Sequence, residues 1–325
     1  MALTDGGVKL INIEATTRYP VVSAFEFEFL KTEALVRERM TACTLYVIVQ
    51  RPLTYFTNVR LGAGELTFDI VDDVHEPLKC TLDLAENEIT APGEIVEVEV
   101  SFFKETPPQA QPFKDVAAIR VYRENGDFVV WYSPQKFLYE LLVGRLEAGV
   151  EGRVQDYLDY HVHYIGKAFS QKVWDRLASH TKMQKILILE GPLSSKEARA
   201  PFEIALLLLE VEGFTEMNVF PLQDGMLPPG AEPIFHEVET AADFEAFNTP
   251  AIPPSAPQLT TEAEAQLINV FRPVYNEILF DNYPNIEGGT RSVGYTAATL
   301  EIDRLPFRLS TAHYSHPSAL GENTT

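Results

Sequence analysis

A chain of 325 residues, 46% hydrophobic and 22% charged, has the composition of a globular protein and enough length for a sizeable core in two domains. Its longest aliphatic run, Ile204 to Leu209, is far too short to cross a bilayer, so no membrane partner is expected. The formal net charge of −21 opposes indiscriminate attraction to nucleic acid, which depends on lysine and arginine neutralising phosphates. The opening residues, MALTDGGVKLINIEA, lack a basic start followed by an apolar block, so no signal peptide and a cytoplasmic location are expected. Two cysteines, Cys43 and Cys80, are too few for a disulfide framework and read as buried thiols.

Residues 1–133 read as an all-β, sandwich-like domain. Strands are expected over Ala24–Leu30, Thr44–Val49, Thr54–Leu61, Leu66–Val71, Leu78–Leu84, Ile95–Phe103, Ala117–Tyr122 and Phe128–Tyr132. The clearest alternates Val96, Val98 and Val100 with Glu97, Glu99 and Ser101. Gly62/Gly64, Pro92-Gly93 and Asn125-Gly126 punctuate the strands as turns. His75 beside Asp72, Asp73 and Glu76 reads as a solvated acidic turn, because the spacing fits no metal loop. This region is assigned to binding, assembly or restraint of its neighbour, with a protein partner or self-association through it.

Pro134 opens a predicted helix, Gln135 to Leu146, with Phe137, Leu138, Leu141, Leu142 and Leu146 on its apolar side. A strand follows in which Tyr160, Val162 and Tyr164 alternate with His161 and His163, and Gly166 breaks it. Ser170 is a predicted N-cap for a helix from Gln171, on which Lys172, Arg176 and His180 fall at i, i+4 and i+8 on one face. Between Tyr160 and Lys185 the cations Lys167, Lys172, Arg176, Lys182 and Lys185 face Asp175 alone, so positive charge gathers where a phosphate would sit.

Further on, Ile186–Leu189 reads as a short strand, and Ser194 and Glu197 stand at capping-box spacing for a helix. Phe202 to Val211 is apolar almost all round and is expected as a buried helix, followed by a short mixed stretch, Phe214–Phe220. Residues 221–258 hold eight prolines among several acids and read as a long, poorly packed insertion. A helix is expected over Glu262–Phe271, with Leu267, Ile268 and Phe271 as its apolar stripe and Glu264 on the same side. Strand-like stretches around Ser292–Ile302 and a flexible tail over 311–325 complete the chain.

The words Tyr164-Ile165-Gly166, Lys167-Ala168, Arg176-Leu177 and His180, followed downstream by Glu264, Leu267-Ile268, Pro273 and Asn276, resemble the second half of the GIY-YIG endonuclease module. The resemblance implies a C-terminal GIY-YIG-like domain over 134–310, a small antiparallel sheet flanked by helices, within an α+β chain. That family also carries a Gly-Ile-Tyr strand about one hairpin earlier, whose tyrosine positions or activates the attacking water. No such tripeptide precedes Tyr164: Tyr157 and Tyr160 lie too near, and Gly126-Asp-Phe128 is a degenerate candidate much further back.

The function implied by the resemblance is metal-dependent hydrolysis of nucleic-acid phosphodiester bonds, with DNA as the expected partner. Glu264 would hold one divalent cation, Mg²⁺ or Mn²⁺. Arg176 would neutralise developing charge, and Tyr164 and His180 would handle the attacking water. Gly166, Lys167, Lys172 and Asn276 would contact or position the substrate. Each residue also has a structural alternative: Tyr164 as core, Arg176 as a surface ion pair, His180 as a helix-terminal cation, Glu264 as a capping box with Thr261, and Asn276 as a turn residue. The competing reading of the whole is a GIY-YIG-like module without catalysis, acting in nucleic-acid or protein binding and assembly.

Overall fold

The computed structural model describes residues 8–17, 21–23, 26–27, 30, 34–62, 64–103, 110–168, 181–189, 202–219, 240–242, 245, 253–280, 286–303 and 305–316. Lys172, Arg176 and His180, with their expected helix, lie outside the described residues, as do the expected capping box at Ser194 and most of the proline-rich stretch. No helix among the described residues is long and apolar enough to cross a membrane.

The chain is a strand-rich α+β protein built on two sheets. The first is eight-stranded: β1 (Val8–Thr17), β2 (Val22–Ser23), β3 (Leu45–Pro52), β11 (Asp159–Lys167), β12 (Phe202–Val219), β13 (Ala297–Asp303), β14 (Arg308–Ser310) and β15 (Ser315–His316). Their order is β13-β1-β12-β3-β11-β14-β15, with β2 on β12. β1 pairs parallel with β13 and β11 with β14, and the other pairs are antiparallel. The YIG-like strand β11 thus lies in a large mixed sheet rather than a small antiparallel one.

The second sheet is seven-stranded: β4 (Tyr55–Leu61), β5 (Glu65–Val71), β6 (Leu78–Asp83), β7 (Val96–Phe102), β8 (Val116–Arg123), β9 (Phe128–Tyr132) and β10 (Gly149–Glu151), in the order β10-β6-β5-β4-β8-β7 with β9 on β8. Strands β1 to β3 therefore pair with β11 to β13, and strands β4 to β10, which lie between them in the chain, build the second sheet. The strand pairing divides the chain otherwise than the expected break at residue 133.

The centre of the first sheet, strands β3 and β12, is buried on both faces. Leu45, Val47 and Val49 of β3 and Ala205, Leu207 and Leu209 of β12 point to one core, which helix α4 (Ala256–Phe271) completes with Leu259, Ala263, Leu267, Ile268 and Phe271. Tyr46 and Ile48, with Ile204, Leu206 and Leu208, point to the other. There they meet Val36 and Met40 of helix α1 (Ala34–Met40) and Met183 and Ile186 of helix α3 (Thr181–Leu189). Strict alternation sends every second side chain of a strand to the opposite face, so a strand covered on both sides is apolar throughout.

That pattern corrects two expectations. The apolar run at Phe202 is the start of strand β12, not a buried helix, and Ile186–Leu189 ends helix α3 instead of forming a strand. A third correction concerns helix α4. Its N-cap is Ser255, whose backbone N–H donates to Gln258 Oε1 at 2.9 Å, so Thr261 and Glu264 lie inside the helix and do not cap it.

Helix α2 (Pro134–Leu142) joins the sheets. Ser133 accepts from the Lys136 N–H at 3.2 Å, and Pro134 fills the first turn, where its missing N–H costs nothing. Phe137 and Leu138 enter the core of the second sheet, while Tyr139 enters that of the first, its hydroxyl 2.9 Å from Thr17 Oγ1. Cys43 and Cys80 are both buried, and burial pushes the Cys80 thiol up to about 12.

Candidate functional site

The YIG-like strand carries a β-bulge. Val162 pairs with Val49 and Tyr164 with Ile48, leaving His163 as the extra residue. The insertion changes the phase of every following side chain. Tyr160 and Val162 belong to the core beneath α4; beyond the bulge, Ile165 returns to that core, and Tyr164 packs instead with Tyr46 on the other face. Gly166 pairs with Tyr46 across the ladder. A Cβ on Gly166 would lie 2.6 Å from Tyr46 Oη and 2.7 Å from Tyr164 Cε1, so glycine is required for the two rings, 6.2 Å apart, to close over the strand.

The opposite face receives Lys167. Its Nζ lies 2.6 Å from Oε2 of Glu264, on the inner side of α4 and 11% exposed in its side chain. One turn earlier on α4, the Thr260 hydroxyl is 2.9 Å from that of Thr44, just ahead of β3, and the Ala168 N–H donates to Thr44 O at 2.9 Å. Glu264 therefore ties helix to sheet where β11 ends.

Helix α4 stops at Arg272, which takes the left-handed conformation ahead of Pro273. The chain then crosses the edge of β11. β14 covers only Asp159–His161, so the edge beyond is open to the segment that follows the helix. The Tyr275 N–H donates to His163 O at 3.2 Å, and the amide of Asn276 takes both backbone groups of Ile165: Oδ1 accepts from its N–H at 3.0 Å and Nδ2 donates to its carbonyl at 2.8 Å. Tyr275 thereby reaches the core on the Tyr46 side, although Phe271 belongs to the core on the other.

Of the expected site residues, the fold thus brings Gly166, Lys167, Glu264 and Asn276 together around the end of one strand. Tyr164 lies on the opposite face from Glu264. Glu264 offers Oε2 to the Lys167 ammonium at 2.6 Å, so a divalent cation there would have to displace that lysine, and among the described residues no group of three or more His, Cys, Asp or Glu could hold an ion.

Two features had no signal in the sequence. Tyr46, on the strand paired with the YIG-like segment, lies 118 positions upstream of Tyr164 and is fully buried. The second is a buried polar cluster between the sheets. Arg51 Nε donates to Glu203 Oε1 at 2.7 Å, Gln135 Nε2 donates to Glu203 Oε2 at 2.8 Å, and the Arg51 guanidinium also bonds Thr54 and lies over the Tyr160 ring. Burial pushes the Glu203 carboxyl up, and Arg51 works against that shift.

His75, by contrast, needs no metal. Asp72 Oδ1 accepts from the backbone N–H groups of Val74 and His75, and Oδ2 lies 2.8 Å from His75 Nδ1, which makes the acidic stretch a self-satisfied turn. Compared with family models, curated proteins and solved structures, the chain matches none.

Proposed function

We propose that the chain is a non-catalytic binding protein, in which the YIG-like segment is a structural joint and the exposed surfaces meet a protein partner. The observation that carries this reading is the Lys167–Glu264 pair on the face opposite Tyr164. A carboxylate that already neutralises a lysine, across a packed sheet from the tyrosine, lacks the common cleft that hydrolysis requires. Net charge supports a protein partner over nucleic acid: at −21 the chain repels phosphate at long range.

A second reading, phosphodiester hydrolysis, is favoured by one specific observation. Glu264 and Asn276, expected from a distant segment, both dock on the Ile165–Lys167 end of β11. Nicking of supercoiled plasmid in Mg²⁺ separates the two. The expected result is no nicking above buffer by the native chain. Nicking by the native chain that Glu264→Gln abolishes, with the fold intact by circular dichroism, would overturn the binding-protein reading.

A further inference from the structure

We infer that strand β7 is a docking edge for an extended basic segment of a partner protein, added to the second sheet as a further strand. The inference rests on the binding-protein reading and gives it a surface. β7 spans Val96–Phe102, ends the sheet order and pairs only with β8 among the described residues. An edge of this length presents a row of N–H and C=O groups able to template another strand. Two of the usual blunting devices are missing along it, and the charges it does carry, on Glu97 and Glu99, repel a like strand but not a basic one. It holds no proline or lysine, and its one bulge lies at the far end, between Ser101 and Phe102.

The side chains specify the occupant. Val96, Val98 and Val100 face the core of the second sheet but are only partly buried, so an incoming strand would finish covering them with apolar residues at alternate positions. On the other face Glu97 and Glu99 are exposed. Glu99 pairs with Arg120 of β8 at 2.8 Å, and Glu97 has no partner among the described residues. A second copy of this chain fits poorly, because an antiparallel pairing centred on Val98 would set Glu97 opposite Glu99 of the other copy, and like charges directly across a ladder are destabilising. A strand alternating lysine or arginine with valine satisfies both faces.

The test is titration of the full chain with the acetylated and amidated heptapeptide Lys-Val-Lys-Val-Lys-Val-Lys, read by backbone amide NMR shifts. The expected result is saturable binding with shifts centred on Val96–Phe102, weakened about tenfold or more by Glu97→Lys and lost when alternate peptide nitrogens are methylated. N-methylation keeps the peptide's charge and removes its ladder donors, so binding that survives it is not strand addition and overturns the proposal. So do shifts elsewhere on the surface, binding indifferent to Glu97→Lys, or dimerisation of the free chain through β7. Absence of peptide binding in a chain that does not nick DNA removes this proposal alone; Glu264-dependent nicking by a chain that binds the peptide removes the reading of the YIG-like segment alone.

Discussion

Asn276 holds both backbone groups of Ile165 with one side chain, accepting from its N–H at 3.0 Å and donating to its carbonyl at 2.8 Å. An asparagine amide is a peptide group in miniature, and here it continues the sheet where β14 stops, on the free edge of β11. The residue that the GIY-YIG resemblance implied as a structural hydrogen-bonder near the site thus acts as a substitute strand. Asn276→Ala should cost about 1–3 kcal/mol, since both partners lose a bond in a partly buried place. Asn276→Asp sets a carboxylate oxygen against the Ile165 carbonyl where the donor stood, and should cost at least as much. Denaturant unfolding checks the order; an Asn276→Ala variant as stable as the native chain would refute the role.

Gly166 should tolerate no side chain. Alanine there drives a methyl group into Tyr46 and Tyr164, for an expected loss of about 1–3 kcal/mol. The loss should shrink when the substitution is made in a Tyr46→Leu background, which takes away one of the two rings. Equal costs in the two backgrounds would show that the glycine is needed for some other reason.

The Arg51–Glu203 pair makes a sharper case, because both side chains are almost fully buried, at 1% and 7% exposure. Arg51→Met leaves the Glu203 carboxylate in the interior without its cation and should cost about 3–5 kcal/mol. Adding Glu203→Leu removes the orphaned charge and should restore most of that loss. Unfolding midpoints of the two variants decide it: a double variant no better than the single would contradict the assignment.

Acid should loosen the last strand of the first sheet. Burial holds the His316 imidazole below its ordinary value of 6.5, so the folded chain binds this proton less readily than the unfolded chain. Stability from β15 docking is therefore present above the ordinary histidine value and declines as pH falls from there through the lowered folded value. Amide exchange at Leu309 and His316, which pair across β14 and β15, should quicken over that window in the native chain and not in His316→Asn. Exchange with the same pH profile in both would exclude the imidazole as the cause.

Much of the local architecture was legible and the long-range architecture was not; the strand expected over Ala24–Leu30 is helical at Glu26, Phe27 and Leu30. Strands β3 to β9 and the start of helix α2 follow from short β-branched and aromatic runs, the alternation of β7, turn glycines and Pro134, which are signals within a few residues of one another. Strand β12 was misread because a central strand covered on both faces loses its alternation; Leu206 and Leu207 face different cores and look alike in sequence. Thr261 and Glu264 imitate a capping box that Ser255 and Gln258 form in fact. Tyr46 and Gly166 face each other across 120 positions, and nothing near either residue encodes that register. The convergence of Glu264 and Asn276 on one strand was visible as a pattern, but the bulge at His163, which separates Tyr164 from Glu264, had no local mark.

The central claim, that Glu264 belongs to the joint between helix α4 and strand β11, is tested most directly by a double-mutant cycle of Lys167→Met and Glu264→Gln followed by denaturant unfolding. The account expects each single variant to be destabilised and the pair to couple favourably by about 1 kcal/mol. A Glu264→Gln variant that is more stable than the native chain, with coupling within about 0.3 kcal/mol of zero, would be the behaviour of a strained functional carboxylate and would contradict it.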